Sequence, residues 1–244
     1  MIGTSIHPRP EQIEVLTQGG ALPLPPLAAG HLTLIANTLA TTWNGLAEHY
    51  GQTFRSGDEN EINGLMVGRL KTLCDDDPVW GTLVRSVARG EETPSYDGSH
   101  LEKRPDISIS LTDQRRSFPL IIECKLIELA KGKTVNLYCD NGVVRFISGD
   151  YAWYAREAMM MAYVRDGSTI TSSLAPVLSG PQNNRLNPYQ VQSPPKVVGS
   201  AVLDMACSQH TRHFSYIARH AGQKPSPITV WHLWLRTPKA VVAD

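Results

Sequence analysis

The sequence predicts an α/β protein, because it contains both apolar runs typical of strands and segments with helical spacing. Strand character is strongest in an alternating run that begins at Asp106 and in the almost wholly apolar run from Leu120 to Ile127. Apolar residues at helical spacing mark His31 to Tyr50 and the segment after Ser56. The 244 residues suffice for a sizeable core, and we expect one domain over residues 31–244.

A Pro-rich arm and a helix are predicted at the start of the chain. Residues 1–30 contain the run Leu-Pro-Leu-Pro-Pro-Leu, which favours an extended arm. In the helix predicted from His31 to Tyr50, the apolar face consists of Leu32, Ile35, Leu39, Trp43 and Leu46.

The second predicted helix opens with acidic residues. Ser56 or Asp58 would serve as its N-cap, and Glu59 and Glu61 lie near the positive end of the helix dipole. Its buried stripe consists of Ile62, Leu65, Met66, Leu70 and Leu73. By helical phase Glu59 lies at the edge of this stripe, whereas Glu61 is turned towards solvent. The alternative is that both acids only complement the helix dipole.

A polar loop over residues 91–104 leads into two strands that we expect to form a hairpin. The polar linker Thr112 to Pro119 supplies the turn between them. Glu123 and Lys125 are two residues apart, so they share one face of their strand while Cys124 points away. If the hairpin aligns Asp106 with that face, two carboxylates and one lysine meet. Buried charges are costly unless they pair, bind a metal or do chemistry, and carboxylates suit Mg²⁺.

The pattern Pro105-Asp106 followed by Glu123-Cys124-Lys125 resembles the signature of the PD-(D/E)xK nuclease superfamily. The resemblance covers roughly residues 57–166. It implies a restriction-endonuclease-like core with a central mixed β-sheet flanked by helices. It also implies a divalent-metal-dependent endonuclease that hydrolyses phosphodiester bonds, with DNA as the expected substrate, in restriction, repair or antiviral defence.

The resemblance assigns a role to each residue of the motif. Asp106 and Glu123 would hold Mg²⁺, or Mn²⁺ in its place, and Glu59 would be a further metal ligand, with Glu61 as second choice. Lys125 would orient the attacking water or help to deprotonate it. The resemblance leaves open whether the protein acts as a homodimer or with partner proteins of a defence system.

Three other interpretations of the motif remain open. Glu123 and Lys125 would form a buried ion pair beside an unrelated Asp106, or the chain would be a catalytically idle nuclease fold used for binding or assembly. In the third, the motif is accidental and the Pro-rich arm binds a partner.

Beyond the motif, a hairpin and a helix are predicted. Val135 to Ile147 contains Asp140-Asn-Gly142, a turn signal that favours a hairpin. A long helix with a Met-rich core face is expected from Tyr151 to about Arg165. Arg156 and Glu157 on this helix are candidates for lending a polar group to the site, as the resemblance implies.

The last part of the chain is predicted to hold a long loop near residues 167–200 and a final strand from Ile228 to Leu235. His210 and His213 share a helical face, but no Cys or acidic neighbour completes a zinc set, so phosphate contact by His210, Arg212 or His213 is favoured over a metal role.

Charge and hydropathy limit the expected partners. The formal net charge is zero, so contacts to nucleic acid would be local. Basic residues that flank the motif, as phosphate contacts or as ordinary solvated side chains, are Lys103, Arg104, Arg115, Arg116, Lys131 and Lys133. No stretch approaches eighteen apolar residues, and we expect a cytoplasmic protein that does not associate with membranes.

Overall fold

The computed structural model describes residues 7–180, 187–199 and 202–237, and the structural statements below concern these residues. The helices are α1 (Pro10–Thr17), α2 (Ala29–His49), α3 (Gly51–Ser56), α4 (Glu59–Asp76), α5 (Pro78–Leu83), α6 (Val135–Tyr138), α7 (Val144–Ser148) and α8 (Ala175–Ser179). The strands are β1 (Val84–Arg89), β2 (Ile107–Leu111), β3 (Leu120–Ile127), β4 (Glu157–Val164), β5 (Val191–Val197), β6 (Asp204–His210) and β7 (Ile228–Arg236). Short 3₁₀ turns cover Leu129–Lys131 and Ala218–His220, and π-helical turns cover Cys139–Val143 and Ile170–Leu174.

The strands form one seven-stranded mixed sheet in the order β1-β2-β3-β4-β7-β6-β5. Strands β1, β2 and β3 are antiparallel neighbours, and β4 runs parallel to both β3 and β7. Strands β6 and β5 extend the sheet in antiparallel fashion. The prediction of an α/β fold with a mixed sheet flanked by helices is therefore confirmed.

Helices cover both faces of this sheet. On one face, apolar residues of α2, α4 and α5 pack against side chains such as Ile107 and Ile122. On the other face, α1, α6, α7 and α8 pack against side chains such as Ile121 and Met160. Strands β3 and β4 are thus covered on both faces, as their nearly continuous apolar sequences require.

Residues 135–148 are helical, so the predicted hairpin around Asp140 is wrong. Helix α6, the π-helical turn and α7 follow one another over this segment. The reason is topological: β3 and β4 are parallel, and parallel neighbours need a crossover connection, usually a helix. Gly142 packs closely against the end of the Met160 side chain, which would have to shift to admit a Cβ. Gly149, at φ 81°, ends α7 in the left-handed conformation that favours glycine.

The helix predicted from Tyr151 to Arg165 is also wrong, because its second half is β4. All eight residues of β4 are buried between β3 and β7, so an apolar run that fits either a helix or a covered strand becomes a central strand. The prediction that Met159, Met160 and Met161 belong to the core is confirmed, since all three are fully buried.

Two further predictions need correction, and three are confirmed. Residues 10–17 of the predicted extended arm form α1, whose Ile13 is buried, and β1 was not predicted. The predicted loop 167–200 contains α8 and β5; its residues 181–186 and 200, and residues 1–6 of the arm, lie outside the described residues. Helices α2 and α4 and the final strand β7 lie where the sequence predicts them. No helix in the described part of the chain is long and apolar enough to cross a membrane.

The prediction that His210 and His213 share a helical face is wrong. His210 ends β6 and is fully buried, whereas His213 lies exposed in the loop that follows. The Nδ1 atom of His210 lies 2.6 Å from the carbonyl oxygen of Tyr189. Because a carbonyl oxygen can only accept a hydrogen bond, this Nδ1 carries a proton and donates it to Tyr189.

That donation fixes the direction of a whole buried hydrogen-bond chain. Ser208 donates to Nε2 of His210 over 2.7 Å and accepts from Nε2 of His232 over 2.7 Å. Tyr138 then donates to Nδ1 of His232 over 2.8 Å. Each of these side chains has its hydrogen-bond partners when both imidazoles are neutral, and the bonds connect α6 with β6 and β7. No ring nitrogen of His210 or His232 is therefore left to bind a phosphate.

Acid should destabilise the protein through these two histidines. Burial lowers the pKa of His232 to about 3 and that of His210 to about 4, from an ordinary value of 6.5. Below pH 6.5 both imidazoles bind protons in the unfolded protein but stay neutral in the folded protein until their lower pKa values are reached. The free energy of unfolding therefore falls by about 1.4 kcal/mol per pH unit per imidazole. Urea unfolding at pH 7, 6 and 5 should show a flatter acid limb for His210→Gln and His232→Gln. Slopes unchanged by both substitutions would contradict this role.

Candidate active site

The register of the hairpin places the predicted motif at a fork between β2 and β3. The two strands pair from Ile109 with Leu120 to Ile107 with Ile122, and the pairing ends there. Asp106 and Glu123 are the next residues in this register, at the point where the strands separate. Beyond the fork, β3 therefore presents backbone N–H groups that β2 does not satisfy.

Two carboxylates take the place of the missing strand partner. Oδ2 of Asp106 accepts the N–H of Cys124 over 2.8 Å, and Oε2 of Glu59 accepts the N–H of Leu126 over 2.9 Å. The hairpin and its alignment of Asp106 with Glu123 are therefore as the sequence predicts.

Helix α4 brings Glu59 to the fork because its start is fixed by a capping box. Asp58 is the N-cap and accepts from the N–H of Glu61 over 2.8 Å, while the Glu61 carboxylate accepts from the N–H of Asp58 over 2.7 Å. Of the two predicted N-caps, Asp58 rather than Ser56 serves. Glu61 is thus committed to the helix end, and Glu59 alone reaches the motif, as helical phase predicts.

Lys125 lies at the centre of the cluster. Its Nζ is 2.9 Å from Oε1 of Glu123, 3.3 Å from Oε1 of Glu59 and 3.7 Å from Oδ2 of Asp106. It also donates to the carbonyl oxygen of Cys124 over 2.6 Å. The structure therefore brings Glu59, Asp106, Glu123 and Lys125 together, and the alternative of an unrelated surface Asp106 does not hold.

Burial dominates the electrostatics of Glu123. Its side chain is 2% exposed, and Oε2 is buried without a hydrogen-bond partner. Burial raises the pKa of Glu123 to about 7; Asp106 adds to this, and Lys125 and Arg145 oppose it. Burial raises the pKa of Glu59 as well, against the opposing effect of Lys125.

The same carboxylates keep Lys125 charged. Burial favours the neutral amine, but the charges of Glu123, Glu59 and Asp106 outweigh burial and raise the pKa of Lys125 above its ordinary value. Lys125 is thus an ammonium ion across the neutral range. It can donate hydrogen bonds and stabilise negative charge, but it has no lone pair with which to take a proton.

Arg145 and Tyr151 also belong to the cluster, although the sequence motif includes neither. Nη1 of Arg145 lies 3.3 Å from Oε1 of Glu123 and donates to the Tyr151 hydroxyl over 2.7 Å. The Arg145 side chain is 39% exposed, so this guanidinium faces both the buried acid and solvent. Arg145 lies in the predicted hairpin and Tyr151 at the start of the predicted helix that follows it, so no pattern in the sequence places them near Glu123.

Arg156 and Glu157, which were expected to lend a polar group to the site, lie elsewhere. Arg156 donates to the carbonyl oxygen of Leu24, and Glu157 accepts from the N–H of Leu27, so both hold the chain before α2. Most of the flanking basic residues are also engaged elsewhere: Lys103 with Asp150, Arg104 with Glu92, Arg115 with the carbonyls of Gln18 and Gly19, and Lys131 with Glu128.

The donor set suits a hard divalent cation. Among the residues that the structure describes, no three His, Cys, Asp or Glu side chains are already disposed to hold a metal ion. Lys125 instead occupies the centre of the carboxylates and supplies the positive charge. Yet Oε2 of Glu123 is buried and without a partner, and three of the converging groups are carboxylates, which are the ligands that Mg²⁺ prefers. The chemistry of Asp106, Glu123 and Glu59 therefore suits such an ion, although in the described residues the three carboxylates are not arranged to hold one.

Comparison with protein-family models, with curated proteins and with solved structures finds no match to this chain. The functional interpretation therefore rests on the geometry and chemistry of the cluster at the fork.

Proposed function

We propose that this protein is a divalent-metal-dependent endonuclease of the PD-(D/E)xK type, built on a restriction-endonuclease-like core, that hydrolyses phosphodiester bonds of DNA. The observation that carries the proposal is the convergence of Glu59, Asp106 and Glu123 on Lys125 where β2 and β3 separate. An acidic helix before the strands and a polar side chain from the helix after them accord with the same resemblance.

The cost of burying Glu123 favours a functional site over a packing role. A buried carboxylate with an unpartnered oxygen and a pKa near 7 destabilises the folded chain when it ionises. Apolar residues of similar volume often pack as well as, or better than, a buried ion pair. Binding of a cation would offset this cost by stabilising the ionised carboxylate. A strongly shifted pKa of this kind is common at functional sites.

Each residue of the cluster has a role in the proposed reaction. Asp106, Glu123 and Glu59 would hold Mg²⁺ or Mn²⁺, which when bound stabilises charge on the phosphate and lowers the pKa of a bound water. Lys125 would orient the attacking water and, as an ammonium ion, stabilise negative charge. Arg145 would bind a phosphate oxygen with the part of its guanidinium that faces solvent. Two such sites in a homodimer would cut both strands of a duplex.

A cleavage assay tests the proposal. Purified protein is incubated with supercoiled plasmid, linear DNA and RNA, in Mg²⁺, in Mn²⁺ or in EDTA, beside Glu123→Gln protein purified in the same way. We expect nicked and linear products from the plasmid with either ion, and none in EDTA or with the variant. Absence of cleavage in both ions, or equal cleavage by the variant, would contradict the proposal.

Glu59 and Glu61 offer a matched pair of substitutions on one helix. Glu59→Gln removes a carboxylate that contacts Lys125, so the Mg²⁺ concentration for half-maximal activity should rise by roughly 10-fold or more, the usual scale for a weakened metal site. Glu61→Gln keeps an acceptor for the Asp58 N–H and should leave that concentration unchanged. A Mg²⁺ titration of cleavage rate measures both, and equal responses would remove Glu59 from the site.

A further inference from the structure

A buried asparagine touches the Asp106 carboxylate from inside the protein. Asn63 lies on the core-facing side of α4, one helical turn after Glu59, and is 0% exposed. A buried amide costs free energy unless its polar atoms are bonded. Both ends of this one are: Nδ2 donates to Oδ1 of Asp106 over 3.0 Å, and Oδ1 accepts from the Tyr163 hydroxyl over 2.6 Å.

Only one orientation of the Asn63 amide satisfies both neighbours. An ionised carboxylate only accepts hydrogen bonds, so the amide nitrogen must face Asp106. The amide oxygen then faces Tyr163, whose hydroxyl must act as the donor. Reversing the amide would place two acceptors, Oδ1 of Asn63 and Oδ1 of Asp106, against each other.

Tyr163, at one end of the hydrogen bonds that run through Asn63 to Asp106, is held in place by ring stacking. The ring of Tyr163, in the central strand β4, stacks on Trp43 of α2 with centroids 5.1 Å apart and planes within 6°. Asp106, at the other end of these hydrogen bonds, is held by β3 as well, because its Oδ2 accepts the N–H of Cys124. Both oxygens of Asp106 are thus fixed by groups from α4 and β3, and the Tyr163 ring fixes the amide that holds one of them.

We infer that Asn63 and Tyr163 are positioning residues that set the orientation of the Asp106 carboxylate for binding a divalent cation. The inference rests on the proposed function, since it assigns a purpose to the orientation of a proposed metal ligand. Partners behind a metal ligand orient it, and their loss typically costs about 10–100-fold in metal affinity. A purely structural role for the same hydrogen bonds would change stability and leave the affinity of the folded protein for metal unaltered.

Calorimetric titration of the full chain with Mn²⁺ tests the inference without relying on activity. The proteins compared are the unaltered chain, Tyr163→Phe, Asn63→Ala and the double variant, each shown to be folded by circular dichroism. We expect the Mn²⁺ dissociation constant to rise by about 10-fold in Tyr163→Phe and by up to about 100-fold in Asn63→Ala. In the double variant it should match that of Asn63→Ala, because the hydroxyl donates to the amide that in turn donates to Asp106.

Tyr154→Phe is the matched control. It also removes one buried tyrosine hydroxyl, which donates to the carbonyl oxygen of Pro119 over 2.8 Å, but it lies on the other face of the sheet. Its Mn²⁺ affinity should equal that of the unaltered protein. If Asn63→Ala does not fold, Tyr163→Phe decides, because it keeps the ring and its stacking on Trp43.

The outcomes separate this inference from the function on which it rests. Failure of the unaltered protein to bind Mn²⁺ would overturn the proposed function and the inference together. Binding by the unaltered protein with the same affinity in folded Tyr163→Phe would overturn the inference alone.

Discussion

Glu123→Gln is expected to abolish divalent-dependent cleavage, with a loss of at least about 10²–10³-fold in rate. The substitution keeps the volume of the side chain but removes the charge of the most buried carboxylate in the cluster. Asp106→Asn should have a similar effect, because it removes the charge of the acid next to Glu123 at the fork. Single-turnover cleavage of end-labelled DNA at saturating protein measures both losses.

Retention of the fold is the control for Glu123→Gln. Lys125 keeps its contacts with Glu59 and Asp106 when Glu123 is neutral, so far-UV circular dichroism and cooperative unfolding should be retained. Cleavage by folded Glu123→Gln at the rate of the unaltered protein would remove Glu123 from the reaction.

Lys125→Met should affect both activity and stability. It removes the ammonium ion that stabilises charge in the proposed reaction, for an expected loss of roughly 10²–10³-fold in rate. It also leaves three carboxylates without their shared cation, and breaking a buried ion pair from one side costs about 3–5 kcal/mol. Cleavage kinetics and urea unfolding measure the two effects.

The loss of stability in Lys125→Met should depend on pH in a defined direction. The pKa of Glu123 in the folded protein, about 7, already lies above its ordinary value of 4.5, and loss of Lys125 raises it further. Stabilisation by the protonated acid is full at low pH and is lost as pH rises through the folded pKa. The difference in unfolding free energy between the variant and the unaltered protein should thus be larger at pH 8 than at pH 6. Equal differences at the two pH values would contradict the assignment of the buried charge to Glu123.

The part of the site that the sequence predicts is the part that local geometry determines. Glu123 and Lys125 share a strand face by spacing alone, and the short polar linker of the hairpin brings Asp106 beside them. Helical phase distinguishes Glu59 from Glu61, because the core-facing stripe of α4 is regular. In each case the inference needs only the period of one element and the turn next to it.

The rest depends on contacts between distant segments, which no local pattern encodes. The crossover over residues 135–148 has β-branched residues and a turn signal, yet it is helical because β3 and β4 are parallel. Arg145 contacts Glu123 from that crossover, and Tyr151 comes just after it and contacts Arg145, so the wrong structure predicted for residues 135–148 gave no reason to place either residue beside Glu123. Asn63 did leave a signal, as a polar residue on the buried face of α4 one turn after Glu59. Its contact with Tyr163 could not be foreseen, because the segment that forms β4 is predicted as a helix.

A crystal structure of the protein grown with Mn²⁺, with diffraction data collected at the manganese absorption edge, tests the central claim most directly. The claim is that Asp106, Glu123 and Glu59 hold a divalent cation at the fork between β2 and β3. We predict an anomalous difference peak within bonding distance of Asp106 and Glu123 oxygens, with the Lys125 ammonium displaced from the centre of the carboxylates. A map without a peak at the fork, with Lys125 still in contact with all three carboxylates, would contradict it.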